Sequence, residues 1–557
     1  MQRHACNPML LLSVLVAGSA CAASETADPP APYVPTPVYC ASGGDALCSV
    51  IPTAIGTDDA LHVGVGYPGL SNDVTSAKSD VQTPFDNMAW QMFVALNWQA
   101  SQSGGNPATG LSGTGPTVWQ RWSRPEDVFG GPPGNCANPD NLPRFNLIAK
   151  SDGQNDEGFL EAATNQPVID VNGNWTLFER RLNDIEKTYI TQNNLDSLAG
   201  QQLFAQAGGT VALPMPTATV PGAMEVKAAW RIIDASEQPR YFNIQALLDV
   251  EEGKVDNNQR LCAQVTLGLV GLHIIQNNVQ DGALNAQFIW ASFEHKDNAP
   301  TAAAACDATD PNCYKTIAST KASPNLCPVA DGTGGFSYYN PACSDLPTNT
   351  PPVASPDGDY VWSSTPPYAA KYLTTSQSGA SCGTQVSHCW QVYSLTQQLN
   401  TAWQAQLAAL DSVFANYYLI GTNWGGNVEP DGTTLTNGSV PAFLGNSTME
   451  TYIQADPVNG NCVNCHSNAT LAYSSGTTAK PVTYPADFSF LLGLADKACI
   501  DLAAGPIWNN DAAQTTCPAV CSAKTLQWEG QWTTTVPGTQ SVCGCCIVAA
   551  SHASAEK

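Results

Sequence analysis

The amino-acid sequence predicts an α+β fold of mixed helices and antiparallel strands with disulfide-rich insertions, followed by a small, mainly helical C-terminal region. Three features support this prediction. Some segments place apolar residues at helical spacing, others alternate apolar and polar residues as half-buried strands do, and cysteines cluster between them. The length of 557 residues suits several folding units or one large domain with long insertions.

The N-terminus has the features of a secretory signal peptide. A short apolar run precedes Ala20-Cys21-Ala22, a suitable cleavage site, so residues 1–22 are predicted to be removed. A lipid anchor at Cys21 is the alternative, which Gly18 disfavours because a lipoprotein signal usually has a large aliphatic residue there. No segment of the sequence is long and apolar enough to span a membrane. The expected location is periplasmic or secreted.

Charge and cysteine content limit the partners. Acidic side chains outnumber basic ones 47 to 22, giving a net charge of −25, so neither nucleic acid nor an anionic membrane is expected to bind. A basic protein partner is favoured instead. The chain has 20 cysteines, and exported proteins commonly pair them as disulfides. Their connectivity cannot be deduced from the sequence.

Composition divides the mature chain into regions. Residues 23–82 are rich in Pro and Gly and are predicted to form an extended lead-in. Residues 83–430 are predicted to form a mixed α+β domain, within which 296–390 lose periodicity, gain cysteines and form a disulfide-pinned insertion. Residues 431–557 contain the motif described below and end in a cysteine-rich tail.

The periodicity of the apolar residues predicts the elements of the α+β domain. Helices are expected over 83–98, 177–195 and 395–417. Strands are expected over 224–234, 262–276 and 286–295, the last two as an antiparallel hairpin. In the first of these strands, Glu225, Lys227 and Arg231 share one face, which is predicted to be solvated.

The stretch NCVNCHSNAT (461–470) contains a C-x-x-C-H motif in a chain with seven histidines. Thiols at this spacing can bond two vinyl groups of a haem while the adjoining imidazole ligates the iron. Cys462 and Cys465 are therefore predicted to form the thioethers of one covalent haem c, and His466 to be its proximal iron ligand. The alternative is a disulfide at these cysteines, or two unrelated ones, with His466 incidental.

The surroundings of the motif suggest further roles. Ser447 and Glu450 have the spacing of a capping box that opens a short helix over 446–453, and 484–498 carries an apolar helical face. No methionine follows Met449, so a second iron ligand is expected to be His273, His295 or Met449.

The motif makes the chain resemble c-type cytochromes over about residues 440–500. Together with WQMFVALNW, MEVKAAWR, GLHII, WASFEH and DFSFLL, it resembles large bacterial exported proteins of the cytochrome c family. The resemblance implies a location and a cofactor, but no reaction.

Three functions follow from these features. The leading hypothesis is an exported monohaem protein that transfers single electrons to a redox partner protein. The second is a haem enzyme, peroxidase-like or oxygenase-like, with an open distal site, so whether the chain is an enzyme is left open. The third is a haem-free, disulfide-rich binding protein, which fits the cysteine count and the loop-rich composition.

Overall fold

The computed structural model describes residue 51 and residues 82–547, with gaps at 103–106, 113–114, 132–133, 148–157, 162–163, 217–221, 278–287, 308–326, 328, 330–333, 353–359, 372, 426–438, 442–443, 455, 457–458 and 478–479. The predicted signal peptide, the lipid-anchor alternative at Cys21 and nearly all of the predicted lead-in lie outside the described residues. The described residues belong to one compact unit, Pro32–Lys557.

Helices and strands follow one another along the described residues. The helices are α1 (Gln82–Leu96), α2 (Pro107–Gly110), α3 (Pro125–Phe129), α4 (Asp184–Gln192), α5 (Leu198–Gln206), α6 (Ser394–Ala409), α7 (Cys462–His466) and α8 (Asn510–Ser522). The strands are β1 (Arg144–Leu147), β2 (Leu177–Leu182), β3 (Met224–Ile232), β4 (Asn243–Val250), β5 (Leu261–Asn277), β6 (Phe288–His295), β7 (Thr301–Asp307), β8 (Thr374–Thr375), β9 (Ser381–Cys382), β10 (His388–Gln391), β11 (Tyr417–Gly425), β12 (Ser439–Val440), β13 (Ser475–Thr477), β14 (Lys480–Val482), β15 (Cys499–Gly505), β16 (Leu526–Val536) and β17 (Gln540–Ile547). In the described part of the chain, no helix is long and apolar enough to cross a membrane.

The central layer is a sheet of eight strands built around β5, which is 17 residues long. β5 pairs with β3 along one edge, and along the other edge first with β4 and then with β6. β2 extends the sheet beyond β3, while β11 and β12 extend it beyond β6. These pairs are antiparallel, whereas β1 lies parallel to β4 at one end. Most of β5 is buried, which explains why it is apolar on both faces.

One face of this sheet is covered by α1 and α6. Trp90 of α1 stacks on Trp403 of α6 with ring centroids 5.8 Å apart, and meets Phe293 of β6 edge-on at 5.1 Å. Its indole N–H donates to Asn400 Oδ1 at 2.9 Å, so the buried ring also satisfies its polar atom. These contacts hold the helices against the sheet.

The opposite face is covered by residues 444–494, called the roof segment below. Glu294 of β6 accepts hydrogen bonds from the Ser447 backbone N–H and hydroxyl, both at 2.6 Å. Trp290, on the same face of β6, packs against Phe488 with ring centroids 5.9 Å apart. The roof segment is therefore joined to the sheet by both polar and apolar contacts.

Residues 499–547, called the C-terminal module below, form a smaller antiparallel sheet in the order β15-β17-β16, covered by α8. Cysteines four apart on a helix share a face, as do cysteines two apart on a strand, so α8 and β17 can be joined twice. The disulfides of the module are Cys517–Cys543, Cys521–Cys545 and Cys499–Cys546.

Several predictions are confirmed. The helix over 83–98 is α1, the strand over 224–234 is β3, and β5 and β6 form the expected antiparallel pair. The α+β class is confirmed as well, with a sheet-rich architecture. Two disulfides lie within residues 296–390, whose assignment as an insertion stays a prediction. Among the described residues, the disulfides outside the module are Cys136–Cys262, Cys327–Cys389 and Cys343–Cys382. The six disulfides of the described residues are consistent with an extracellular or secreted protein.

Other predictions are wrong. The segment 177–195 begins as strand β2 and becomes helix α4 only after Asn183, whose side chain caps the helix by accepting from the Glu186 N–H. The predicted helix over 395–417 ends at Ala409, and Tyr417 already belongs to β11. Residues 446–453 form turns instead of a helix, and the described part of 431–557 has more strands than helices.

Candidate functional site

A cavity of about 720 Å³ lies between the roof segment and the central sheet. Its lining is largely apolar but includes Arg124, Arg144, Arg180 and Lys227. Pockets of this size and composition commonly bind small molecules. Four basic side chains around one cavity are notable in a chain that has 22 in total.

The floor of the cavity is set by strand register. Arg180 of β2 lies directly opposite Lys227 of β3, which lies opposite His273 of β5. The next row on this face contains Glu225, opposite Ile275. Because directly opposite residues project from the same face of a sheet, Arg180, Lys227 and His273 form one row of basic side chains. The predicted solvated face of β3 is therefore wrong, since the roof segment covers it.

Arg231 does not belong to this row. A β-bulge between Ala229 and Trp230 shifts the register of β3 against β5. The Arg231 guanidinium instead lies in the core, where its Nε donates to Asp170 Oδ2 at 3.0 Å. The prediction that Arg231 shares the face of Glu225 and Lys227 is thus corrected by the bulge.

Glu450 of the roof segment closes over the row. Its carboxylate lies 3.3 Å from His273 Nε2 and 3.7 Å from Lys227 Nζ. Although burial opposes ionisation, the nearby His273 and Lys227 lower the pKa of Glu450 to about 2. The His273 contact is close enough for an ion pair but lacks hydrogen-bond geometry. The carboxylate therefore neutralises part of the positive charge of the row.

Cys462 and Cys465 border the cavity on helix α7. They are the free cysteines of the described residues, whose other described thiols are in disulfides. Asn461 caps the helix by accepting from the Asn464 N–H at 2.9 Å, and Asn423 accepts from the Val463 N–H at 3.0 Å. Burial, and the nearby Glu450 carboxylate, raise the pKa of both thiols. They are therefore protonated and weak nucleophiles at neutral pH.

His466 also borders the cavity, at the end of α7. Burial lowers its pKa to about 4, so the ring is neutral at physiological pH. Its Nδ1 lies 2.8 Å from the Phe488 carbonyl oxygen, which an Nδ1–H would satisfy. In that tautomer Nε2 carries the lone pair. The ring also packs 5.3 Å from Trp290.

The three candidates for a second iron ligand lie in different places. His273 lines the cavity with His466. His295 does not, because its ring stacks on Tyr241 at 3.9 Å and its Nε2 lies 2.9 Å from the Arg240 carbonyl. Met449 lies in a separate apolar cluster beside Val270. The structure therefore brings one of the three to the motif, and its Nε2 faces Glu450.

The C-terminal module presents an aromatic surface, called the Trp508 patch below: Trp508, Trp532 and the turn 536–540. Trp508 is 71% exposed, and its ring lies beside Gly538. Gly538 has φ +72° and follows Pro537, as a type II turn requires. Trp532 donates from Nε1 to Asn510 Oδ1 at 3.0 Å, which places it at the start of α8. Such surfaces with indole rings and amide groups suit the binding of polar ligands that have apolar faces.

The chain folds as a disulfide-stabilised α+β protein. Two of its surfaces, the cavity and the Trp508 patch, bring together side chains that suit ligand binding. A family model described as "MVL: Mannan-binding protein" matches residues 510–545, which cover α8, β16 and most of β17. The match covers much less than half of the chain, so it does not assign the whole chain to that family. No curated protein and no solved structure matches the chain.

These findings overturn the cytochrome assignment. The predicted haem c, the resemblance to cytochromes c and the electron-transfer role with its redox partner are wrong, because the matching family binds mannan and none of the family matches is a cytochrome. The matched residues 510–545 include cysteines of the module that form disulfides. The physical reason for the error is that C-x-x-C-H specifies two thiols and one imidazole on a single helical turn and does not require that they bind iron.

Three residues of these surfaces are not predicted from the sequence: Arg180, Trp290 and Trp508. Arg180 was assigned to a helix, and its position opposite Lys227 depends on strand register. Trp290 lines the cavity through the packing of β6 against the roof segment. Trp508 could have been noticed, because it directly precedes the polar helix signal Asn509-Asn510-Asp511.

Proposed function

We propose that the protein is a haem-free, disulfide-rich binding protein whose C-terminal module binds a mannose-containing glycan. The match of residues 510–545 to a mannan-binding family carries the proposal. The cysteine-rich composition supports it, because an exported binding module with a small core depends on disulfides.

The Trp508 patch is the proposed contact surface. A hexose has one face of C–H groups and a rim of hydroxyls, so it can stack on an indole ring while amide groups bond the hydroxyls. Trp508 supplies an exposed ring, and Asn510, two residues later at the start of α8, accepts from Trp532 Nε1 within the same patch. Two disulfides join α8 to β17, and a third joins β15 to β17, so the elements of the module are cross-linked. Little ordering is therefore needed on binding, which favours affinity.

Calorimetric titration of the full chain with soluble mannan tests the proposal. Trp508→Ala should weaken mannan binding by about 2 kcal/mol, or roughly thirtyfold in Kd, as is typical for the loss of a central tryptophan. Trp508→Phe should retain most of the affinity because it keeps an aromatic face. The matched control is Val482→Ala, which changes an exposed apolar residue outside the module. No binding of mannan by the parent chain, or equal binding by Trp508→Ala, would contradict the proposal.

A further inference from the structure

We propose that the cavity beneath the roof segment is a second, independent binding site, which takes an organic anion with a largely apolar body. The acidic group would lie against Arg180 and Lys227, and the apolar body against the roof segment and Trp290. None of these residues belongs to the C-terminal module, so this proposal and the glycan proposal can fail separately.

The pair Arg180–Lys227 carries the first part of the argument. Like charges directly opposite each other on neighbouring strands repel, and the arrangement is stable only with negative charge nearby. Burial lowers the pKa of the Arg180 guanidinium, although the Glu126 and Glu225 carboxylates near it favour its charged form. An anion above the pair would add negative charge beside both cations, on the side that faces the cavity.

Glu450 leaves room for such a ligand. Its carboxylate reaches Lys227 at 3.7 Å, a distance too long for a hydrogen bond, and Lys227 also lies 5.3 Å above the Phe178 ring. The ammonium group thus keeps hydrogen-bonding capacity on the cavity side. Lys227 is 18% exposed, which shows that it is accessible from the cavity or its mouth.

Trp290 and the thiols of Cys462 and Cys465 support the second part of the proposal, that the body of the ligand is apolar. Trp290 lines the cavity and is 2% exposed, yet its Nε1–H has no hydrogen-bond acceptor among the described residues. A buried unsatisfied donor is unfavourable, so an acceptor on a bound ligand would relieve a cost that the free protein bears. Cys462 and Cys465 border the same space as neutral thiols, which suit an apolar ligand surface. These groups and the basic pair define a ligand with an apolar body and one acidic end.

Two fluorescent probes of nearly equal shape test the charge requirement. 8-Anilinonaphthalene-1-sulfonate carries an acidic group, and N-phenyl-1-naphthylamine is the same ring system without it. The sulfonate should bind the full chain roughly tenfold more tightly, as expected for one charge-assisted contact. Lys227→Met should remove this preference, and Lys227→Arg should restore it. Lys480→Met, at an exposed lysine of β14 outside the cavity, is the matched control and should change neither affinity.

Thiol labelling locates the bound probe. N-ethylmaleimide reacts with free cysteines, and peptide mass mapping reports the extent of modification at Cys462 and Cys465 separately from any other thiol. The sulfonate probe should slow labelling at both positions, and less so in Lys227→Met. Unfolding midpoints in urea show whether each variant is folded. Equal affinities for the two probes, an unchanged preference in folded Lys227→Met, or labelling that the sulfonate does not slow would each overturn the proposal.

Discussion

Replacing Glu450 by Gln tests the electrostatics of the cavity. A pKa of about 2, against 4.5 for an ordinary glutamate, corresponds to roughly 3 kcal/mol of stabilisation at neutral pH, at about 1.4 kcal/mol for each tenfold change. Because the pKa is lowered in the folded state, this stabilisation is complete above pH 4.5 and is lost as the pH falls towards 2. At pH 3 less than half of it should remain. Glu450→Gln should therefore destabilise the protein strongly at pH 7 and much less at pH 3.

Urea unfolding with intact disulfides measures both values. Glu252→Gln, which alters an exposed carboxylate in a turn after β4, is the control and should shift stability by no more than about 0.5 kcal/mol. The same Glu450→Gln variant should bind 8-anilinonaphthalene-1-sulfonate more tightly, because it removes negative charge beside Lys227. A loss of less than about 0.5 kcal/mol at pH 7, or a loss independent of pH, would refute the assigned role of the carboxylate.

Three other predictions concern stability elsewhere. Burial raises the pKa of Glu161 to about 8, so the free energy of unfolding should fall as the pH rises from 4.5 to 8. Glu161→Gln should flatten this pH dependence in urea titrations. At pH 8 the free energy of unfolding of the variant should be higher than that of the parent by up to about 4 kcal/mol. Replacing both Cys521 and Cys545 by Ala should destabilise the C-terminal module by about 3 kcal/mol and weaken mannan binding, while probe binding in the cavity persists. Asp170→Asn should cost about 2 kcal/mol in urea unfolding, because the buried guanidinium of Arg231 loses its 3.0 Å ion pair and keeps only the one with Glu237 at 2.6 Å; a loss under about 0.5 kcal/mol would refute that role.

The elements that the sequence predicted best are those whose apolar pattern extends over many residues. α1 and β3 are marked by the period of their apolar residues, whereas β5 is apolar on both faces and is marked by the length of its apolar run. A long pattern averages out local exceptions, and burial of a whole face then decides the conformation. Short segments lack this averaging, which explains the errors between them.

The error over 177–195 has a specific physical cause. Its first part contains Glu179 and Arg181, whose charges suit an exposed helix. In the fold these residues are satisfied by tertiary contacts instead: Arg124 Nη2 lies 2.8 Å from Glu179 Oε1, and Arg181 Nη1 donates to the Trp122 carbonyl at 2.8 Å. Long-range polar contacts therefore allow a charged strand inside the sheet. Asn183 precedes Glu186 by three residues, a capping signal that could have marked the start of α4.

The capping prediction at Ser447 failed for a related reason. Ser447 uses both its backbone N–H and its hydroxyl on Glu294, a residue 153 positions earlier. In a capping box the Ser447 N–H would donate to Glu450, so a local cap and the buried Glu294 carboxylate compete for this donor, and the buried carboxylate provides the stronger hydrogen bond. Sequence patterns identify the donors, but only the assembled sheet shows which acceptor they meet. The cavity floor has the same origin, since register alone places Arg180 opposite Lys227.

Helix α5 links the two proposed binding elements without making them one site. Gln201 donates from Nε2 to the Leu492 carbonyl of the roof segment at 2.8 Å, and Gln202 donates to Thr525 Oγ1, between α8 and β16, at 3.0 Å. Both contacts are made by the helix itself, so α5 fixes the spacing between the roof segment and the module. Neither glutamine lines the cavity or belongs to the Trp508 patch. Because the two sites share no residues, the double variant Trp508→Ala/Lys227→Met should bind each ligand, mannan or the sulfonate probe, with the sum of the free-energy changes of the two single variants. A saturating concentration of the sulfonate probe should accordingly leave the Kd for mannan unchanged. A change in this Kd would mean that α5 transmits strain between the sites.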